Sequence, residues 1–282
     1  MFRSLSDLEK CSIGATDGEI GRVKDCYFDD KSWVLRYFVV ETGAWLANRC
    51  VLISPISVSK ADWPAKSLPV AITKKQVEDS PSIDSDLPVS RQHEMSYLGY
   101  YGYPYYWGGA GLWGAGAFPG LLLSGVGYGG TDSAYRQAQA QGARADAEAD
   151  AERHSHEDHH LRSGNAMLRY RIHASDGDLG HVRELLIDED SWAVRYLIAD
   201  TSNWWLGHRV LISPQWIQNV SWADEQVDVN LTRAAVKTAP PYLPDQPLDR
   251  PLEKAVFSHH QREGYWSEQA SARRGSTSRP AV

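Results

Sequence analysis

The densest set of potential ligands in this 282-residue chain is His154-Ser155-His156-Glu157-Asp158-His159-His160. Four imidazoles and two carboxylates so close together could take up a divalent metal, with His154, His156, His159 and His160 as the candidate ligands. A physiological centre needs those ligands held by a scaffold and oriented by further hydrogen bonds. This run sits in a polar stretch without an apolar face, so a solvated charge run is expected, and no cofactor. The acidic groups Asp29-Asp30 and Asp188-Glu189-Asp190 lack the alternating oxygen ligands and turn glycine of a calcium loop, and read as hairpin turns. Asp17-Gly18 with Gly21 resembles a phosphate loop only in its glycines; a dinucleotide site needs a spaced glycine triplet between a strand and a helix. No serine occupies a nucleophile-elbow context.

The chain itself supplies a filter for these candidates, because it states one pattern twice. Residues 2–107 superpose without a gap on 161–266 at an offset of 159, with 31 identities in 106 positions. A unit this long is a whole small domain rather than a solenoid repeat. No histidine recurs between the copies: His93 faces Leu252, and His173, His181 and His208 face Gly14, Arg22 and Arg49. Cys11, Cys26 and Cys50 all lie in the first copy and face Tyr170, Leu185 and Arg209. Acid–base or triad chemistry common to both modules therefore has no residues to run it, and an enzyme is not expected. Unmatched cysteines also argue against a disulfide framework and fit a reducing, cytoplasmic compartment. Asp7 and Glu9 follow closely on the N-terminus, so no signal peptide is expected.

What does recur includes four aromatic pairs, an arginine pair and a threonine pair: Trp33/Trp192, Arg36/Arg195, Tyr37/Tyr196, Thr42/Thr201, Trp45/Trp204 and Trp63/Trp222. Trp33, Arg36, Trp45, Trp192, Arg195 and Trp204 are thus the candidate interface or structural residues. Buried aromatics filling a small core, with arginines satisfying acceptors, is the favoured role; a tryptophan–arginine binding patch is the alternative. The net charge of -7, without a dense basic stripe, leaves nucleic acid unexpected as a partner.

The elements that must position these residues read as strands. Short apolar runs at 23–28 and 182–187 follow the Asp-Gly turns. The β-branched and aromatic runs 33–40 and 192–199 follow the acidic turns. A third run ends at Ser54-Pro55 and Ser213-Pro214. A further strand near 68–72 or 227–231 leads into a helical turn at 73–78 or 232–237. Each copy then ends in a proline-rich run that suits neither a central strand nor a helix interior and is expected to wrap the surface. From 95 to 131 there is no charged residue, but glycines break the apolar part, so a membrane span is not expected. Residues 132–160 are too polar to build a core. The expected organisation is therefore a first module at 1–107, a linker at 108–160 that folding can dispense with, a second module at 161–266, and a disordered tail at 267–282.

The runs 18–23, 33–40 and 51–55, with their counterparts at 177–182, 192–199 and 210–214, resemble the PRC-barrel domain. The resemblance covers about 80 residues of each copy. It implies an all-β chain of two small antiparallel barrels, each an interaction module rather than a catalyst. Members include the cytoplasmic domain of the photosynthetic reaction-centre H subunit and the C-terminal domain of a ribosome-maturation factor. No functional position of either can be matched here. The expectation is a cytoplasmic tandem scaffold with a protein partner, its two barrels packed as an intramolecular pseudo-dimer. The alternatives are an H-subunit-like role peripheral to an inner-membrane electron-transfer complex, and a ribosome-maturation role that the acidic charge disfavours.

Overall fold

The computed structural model describes residues 1–81, 89–107, 111–114, 116–119, 160–201 and 209–267. The first copy runs β1 (Phe2–Ser4), α1 (Leu5–Leu8), β2 (Ser12–Ala15), β3 (Gly18–Asp29), β4 (Val34–Glu41), β5 (Cys50–Ile53), β6 (Ser67–Pro69), α2 (Lys74–Glu78) and α3 (Arg91–Tyr101). The second runs β7 (Leu161–Ser163), α4 (Gly164–Met167), β8 (Arg171–Ala174), β9 (Gly177–Asp188), β10 (Val194–Asp200), β11 (Arg209–Ile212), β12 (Ile217–Ser221), β13 (Gln226–Val229), α5 (Arg233–Lys237) and α6 (Arg250–His259). The described chain is mostly β, in two sheets.

The recurring polar residues set the ends of these elements. Asp17 turns from β2 into β3, and its carboxylate also accepts the Lys74 N–H at 2.8 Å, tying the hairpin to the first turn of α2. Asp176 does the same for the Arg233 N–H and α5, at the same distance. Thr73 and Thr232 cap these helices, accepting the N–H of Gln76 and of Ala235. Ser54 and Ser213 accept an N–H two residues on, and the proline after each starts a 3₁₀ turn that takes the chain out of the sheet. Gly21 and Gly180 recur because a Cβ there would lie 1.9 Å from the Glu41 carbonyl oxygen or 2.0 Å from that of Asp200. The glycines serve a close strand approach, not a phosphate.

Two closed barrels were expected, and the sheets are open. One sheet has the order β5-β4-β3-β2-β6, with β7 added on β3; the other has β11-β10-β9-β8-β13-β12, with β1 added on β9. The outer strands span three to five residues, and prolines stand in or beside three of them, β5, β6 and β11. Pro69 ends β6 without an N–H to donate, and Pro55 starts the turn that follows β5. Beyond that turn the first copy makes only isolated bridges, Val58 to Val70 and Asp62 to Ser67, where the second builds β12.

The proline-rich endings also differ from expectation, for each leads directly into a helix. Ser90 caps α3, Asp249 caps α6, and Pro251 stands in the first turn of α6, where its missing N–H costs nothing. The buried face of α3 is Arg91, Glu94, Tyr97 and Leu98, helical in spacing but half charged, so no apolar period announces it.

The chain divides into two compact units, which do not follow the copies. The first is Met1–Leu168 with Glu184–Arg195; the second is Arg169–Arg183 with Tyr196–Val282. Leu5, Ile13, Cys26, Phe28, Tyr37, Phe38 and Leu52 lie in the core of the first. Ile172, Leu179, Val182, Tyr196, Leu211, Val227 and Phe257 lie in that of the second.

Candidate functional site

Within the first unit, the two copies exchange their opening strands. β1 pairs antiparallel with the end of β9, Phe2 opposite Asp188, Arg3 opposite Ile187 and Ser4 opposite Leu186. β7 pairs with the end of β3, Leu161 opposite Asp29, Arg162 opposite Phe28 and Ser163 opposite Tyr27. Each pair maps onto its counterpart when 159 is added to one member and subtracted from the other. Flanking bonds obey the same rule: the Glu189 N–H donates to the Met1 carbonyl and the Asp30 N–H to that of His160, both at 2.9 Å.

The side chains repeat the exchange. Arg3 Nε pairs with Glu189 and Arg162 Nε with Asp30, each at 2.9 Å. Ser6 and Asn165 donate their backbone N–H to Glu184 and Asp25 respectively. Trp33 and Trp192 take a left-handed backbone, φ 56° and 58°, at the hairpin turns. Each donates its N–H back to Asp29 or Asp188, and each carbonyl accepts from the other copy, Val194 N at 2.7 Å and Leu35 N at 2.8 Å. Bulky residues rarely adopt this conformation, so these crossed bonds help to hold a strained turn in place.

A buried polar cluster lies beside the exchange. The Glu94 carboxylate, fully buried, accepts from the Tyr106 hydroxyl at 2.5 Å, and pairs with Arg91 at 3.2 Å and with His160 Nε2 at 2.8 Å. Arg91 also lies 4.2 Å from the centre of the Trp107 ring. In the second unit Glu253 accepts from Tyr196 and Tyr265 at 2.7 and 2.8 Å, pairs with Arg250 at 3.0 Å, and Arg250 lies 4.6 Å from the Trp266 ring. The Tyr37 hydroxyl, matching that of Tyr196, is fully buried near the Glu94 carboxylate. Burial and the nearby Glu94 carboxylate push it far above the usual phenol range.

Arg36 is 3% exposed. Its guanidinium lies 3.8 Å from the Tyr106 ring centre and 4.7 Å from that of Trp113, donating to the Leu112 carbonyl at 2.7 Å and Ser32 Oγ at 2.9 Å. Burial lowers its pKa below the arginine norm, while Tyr106, Asp29 and Glu94 oppose the fall. Burial would raise the Asp29 carboxyl, but Arg36 and the N–H groups of Ser32 and Lys31 outweigh it and hold the pKa below the usual carboxylate value. Asp29 thus spends a carboxylate oxygen on the backbone of its own turn, while Asp30 takes Arg162. Arg195 is only partly buried and reaches Ser191 Oγ at 3.4 Å.

Trp33 stacks on Phe28 at 5.2 Å, and Trp192 packs edge-on against Phe38 at the same distance. Trp45 is half-buried, donates to the Ile20 carbonyl at 2.6 Å and carries the Lys74 ammonium 4.2 Å over its ring. Trp204 lies outside the described residues, as do His154, His156 and His159. His160 is described and is 1% exposed. It belongs to the Glu94 cluster, because a buried carboxylate needs a donor more than a solvated run needs an imidazole. No group of three or more histidine, cysteine or carboxylate side chains is placed to hold a metal ion among the described residues.

The linker reading needs correction at one point. Trp113, at 0% exposed, is buried in the first unit and donates its indole N–H to the Ser191 carbonyl at 2.8 Å. The Gly-rich setting hid it, and no second-copy counterpart existed to flag it. The Glu94 and Glu253 clusters recur in the sequence as Arg91/Arg250, Glu94/Glu253, Tyr106/Tyr265 and Trp107/Trp266, but no apolar period marks these positions as buried. No helix among the described residues is long and apolar enough to cross a membrane. No protein-family model matches the chain, and no curated protein matches it.

Proposed function

We propose that this chain is a non-enzymatic scaffold of two PRC-barrel-related modules that docks a protein partner. The observation that carries the reading is the reciprocal strand exchange: the long strand of each copy accepts an extra strand from outside its own copy. Strand addition is a general mode of peptide recognition, with backbone bonds giving affinity and side chains giving register. Recurring polar residues go into caps, turns and the two buried glutamate clusters rather than into a shared reactive constellation. The matched contacts have the form of an isologous interface, residue i on j and j on i, as in a homodimer fused into one chain. This supports the intramolecular pseudo-dimer reading.

Affinity purification of the full-length chain under gentle conditions, with reversible crosslinking in cells, tests the reading. A stoichiometric protein partner, absent from a tag-only control, is the expected result. Turnover of a small molecule by the pure chain, with no partner captured, would overturn it.

A further inference from the structure

The first unit carries an open cleft of about 660 Å³, within the ordinary range for a ligand site. Its lining includes Trp63, Phe118 and Trp192, together with Pro55 and Pro119. The two tryptophans are 6.5 Å apart with their planes inclined at 48°, so the aromatic surfaces form a wedge rather than a flat patch. Glu189, Asp190 and Lys60 supply its charges. Nothing in the exchange or in the glutamate clusters accounts for this cleft.

One feature beside it shows what the surface accepts. The Arg3 guanidinium lies 4.3 Å from the Trp63 ring centre, with its Nε on Glu189 at 2.9 Å. Arg3 is carried by β1, an extended segment laid onto this side of the unit from the N-terminus. An arginine on an extended backbone, set on tryptophan and held by a carboxylate, is therefore already built at the edge of the cleft. Glu189 is engaged by Arg3 and by the terminal ammonium, at 2.9 and 3.3 Å. Asp190 is exposed and stands next along the chain.

We infer that this cleft takes a short proline-rich segment of a partner protein, carrying an arginine or lysine that pairs with Asp190. This rests on the scaffold reading and names its partner chemistry. Flat aromatic walls suit pyrrolidine rings, and a polyproline segment is pre-extended, so little order is lost on docking. Glu189 is already paired, so the exposed Asp190 is the carboxylate that selects a basic residue beside the prolines, with Lys60 opposing it.

The test uses full-length protein, tryptophan fluorescence and calorimetry. The probe is an acetylated, amidated peptide of sequence Arg-Pro-Leu-Pro-Pro-Leu-Pro, with a glutamate-for-arginine control and a Gly-Ser control. Binding near ~100 μM is expected for the arginine peptide, with the glutamate form at least about tenfold weaker. Asp190→Lys, at an exposed position, should weaken the arginine peptide about fivefold or more with the melting curve unchanged, and Lys60→Glu should tighten it. No binding at about 2 mM, equal binding to Asp190→Lys, or preference for the glutamate peptide would each overturn the inference. Persistence of the affinity-captured partner on the Asp190→Lys protein would overturn it too, while leaving the scaffold reading intact. Only failure to capture any partner on the unmutated chain removes both.

Discussion

Arg36 is a case where burial decides between two roles. A partner-binding arginine has to be reachable, and this one is covered by Tyr106 and Trp113 and coupled to a buried Asp29. Arg36→Ala should destabilise the chain by about 1–3 kcal/mol, because it leaves the Leu112 carbonyl without its donor and removes the cation that faces buried Asp29. Arg195→Ala should cost clearly less, since Arg195 is only partly buried; denaturant melts of both mutants make the comparison. Trp113→Ala should cost about 3–5 kcal/mol, the ordinary loss for a fully buried tryptophan. A midpoint unmoved by that change would restore the linker to a mere tether. His260 adds a pH effect. Burial first, then His259 and Arg262, lower its pKa from 6.5 to about 4. The unfolded chain therefore binds the proton first, and this part of the stability, complete above pH 6.5, is lost as pH falls toward 4. His260→Tyr, the residue type at the matching position 101, should flatten that limb in melts between pH 7 and 4.

Among the elements, legibility followed the residues that act locally. Asp17, Thr73 and Ser54 form turns and caps with partners set by the hairpin or the next helical turn, and the Asp-Gly turns, the acidic turns and the Ser-Pro stops mark β3, β4 and β5 in the sequence itself. Helices α3 and α6 are hidden in the sequence because their buried faces hold Arg91, Glu94 and Glu253, charges made tolerable by neighbouring tyrosines, by His160 and by the arginines beside them. Barrel closure is not legible for a related reason: Pro55 marks the stop of one strand, while whether the outer strands meet depends on the whole sheet. The exchange was not legible either, since β1 is three residues long and its register is set by Arg3 on Glu189 and by the crossed tryptophan carbonyls. Arg3→Glu should therefore lower stability by about 1 kcal/mol, as expected for a half-buried ion pair. Combining it with Glu189→Arg should restore much of that loss. A double mutant no better than the sum of its parts would show that backbone pairing alone sets the register.

For the whole molecule, the consequence of the exchange is that the connector between the copies is not what joins them. β1 is held on β9 and β7 on β3 by backbone bonds, two ion pairs and the crossed bonds at Trp33 and Trp192. A protease site placed between positions 130 and 150 and then cut leaves Trp113 attached to the first fragment and His160 to the second. The two fragments should co-elute as one species at micromolar concentration and melt together. The cut should also make the melting temperature depend on concentration, because association replaces a covalent tether of high effective concentration. If the fragments separate on a sizing column while each keeps its circular dichroism, the copies are independent modules that touch only because the chain links them. In that event the exchanged strands would be a weak addition rather than the interface that defines the fold, and the pseudo-dimer reading would fall with them.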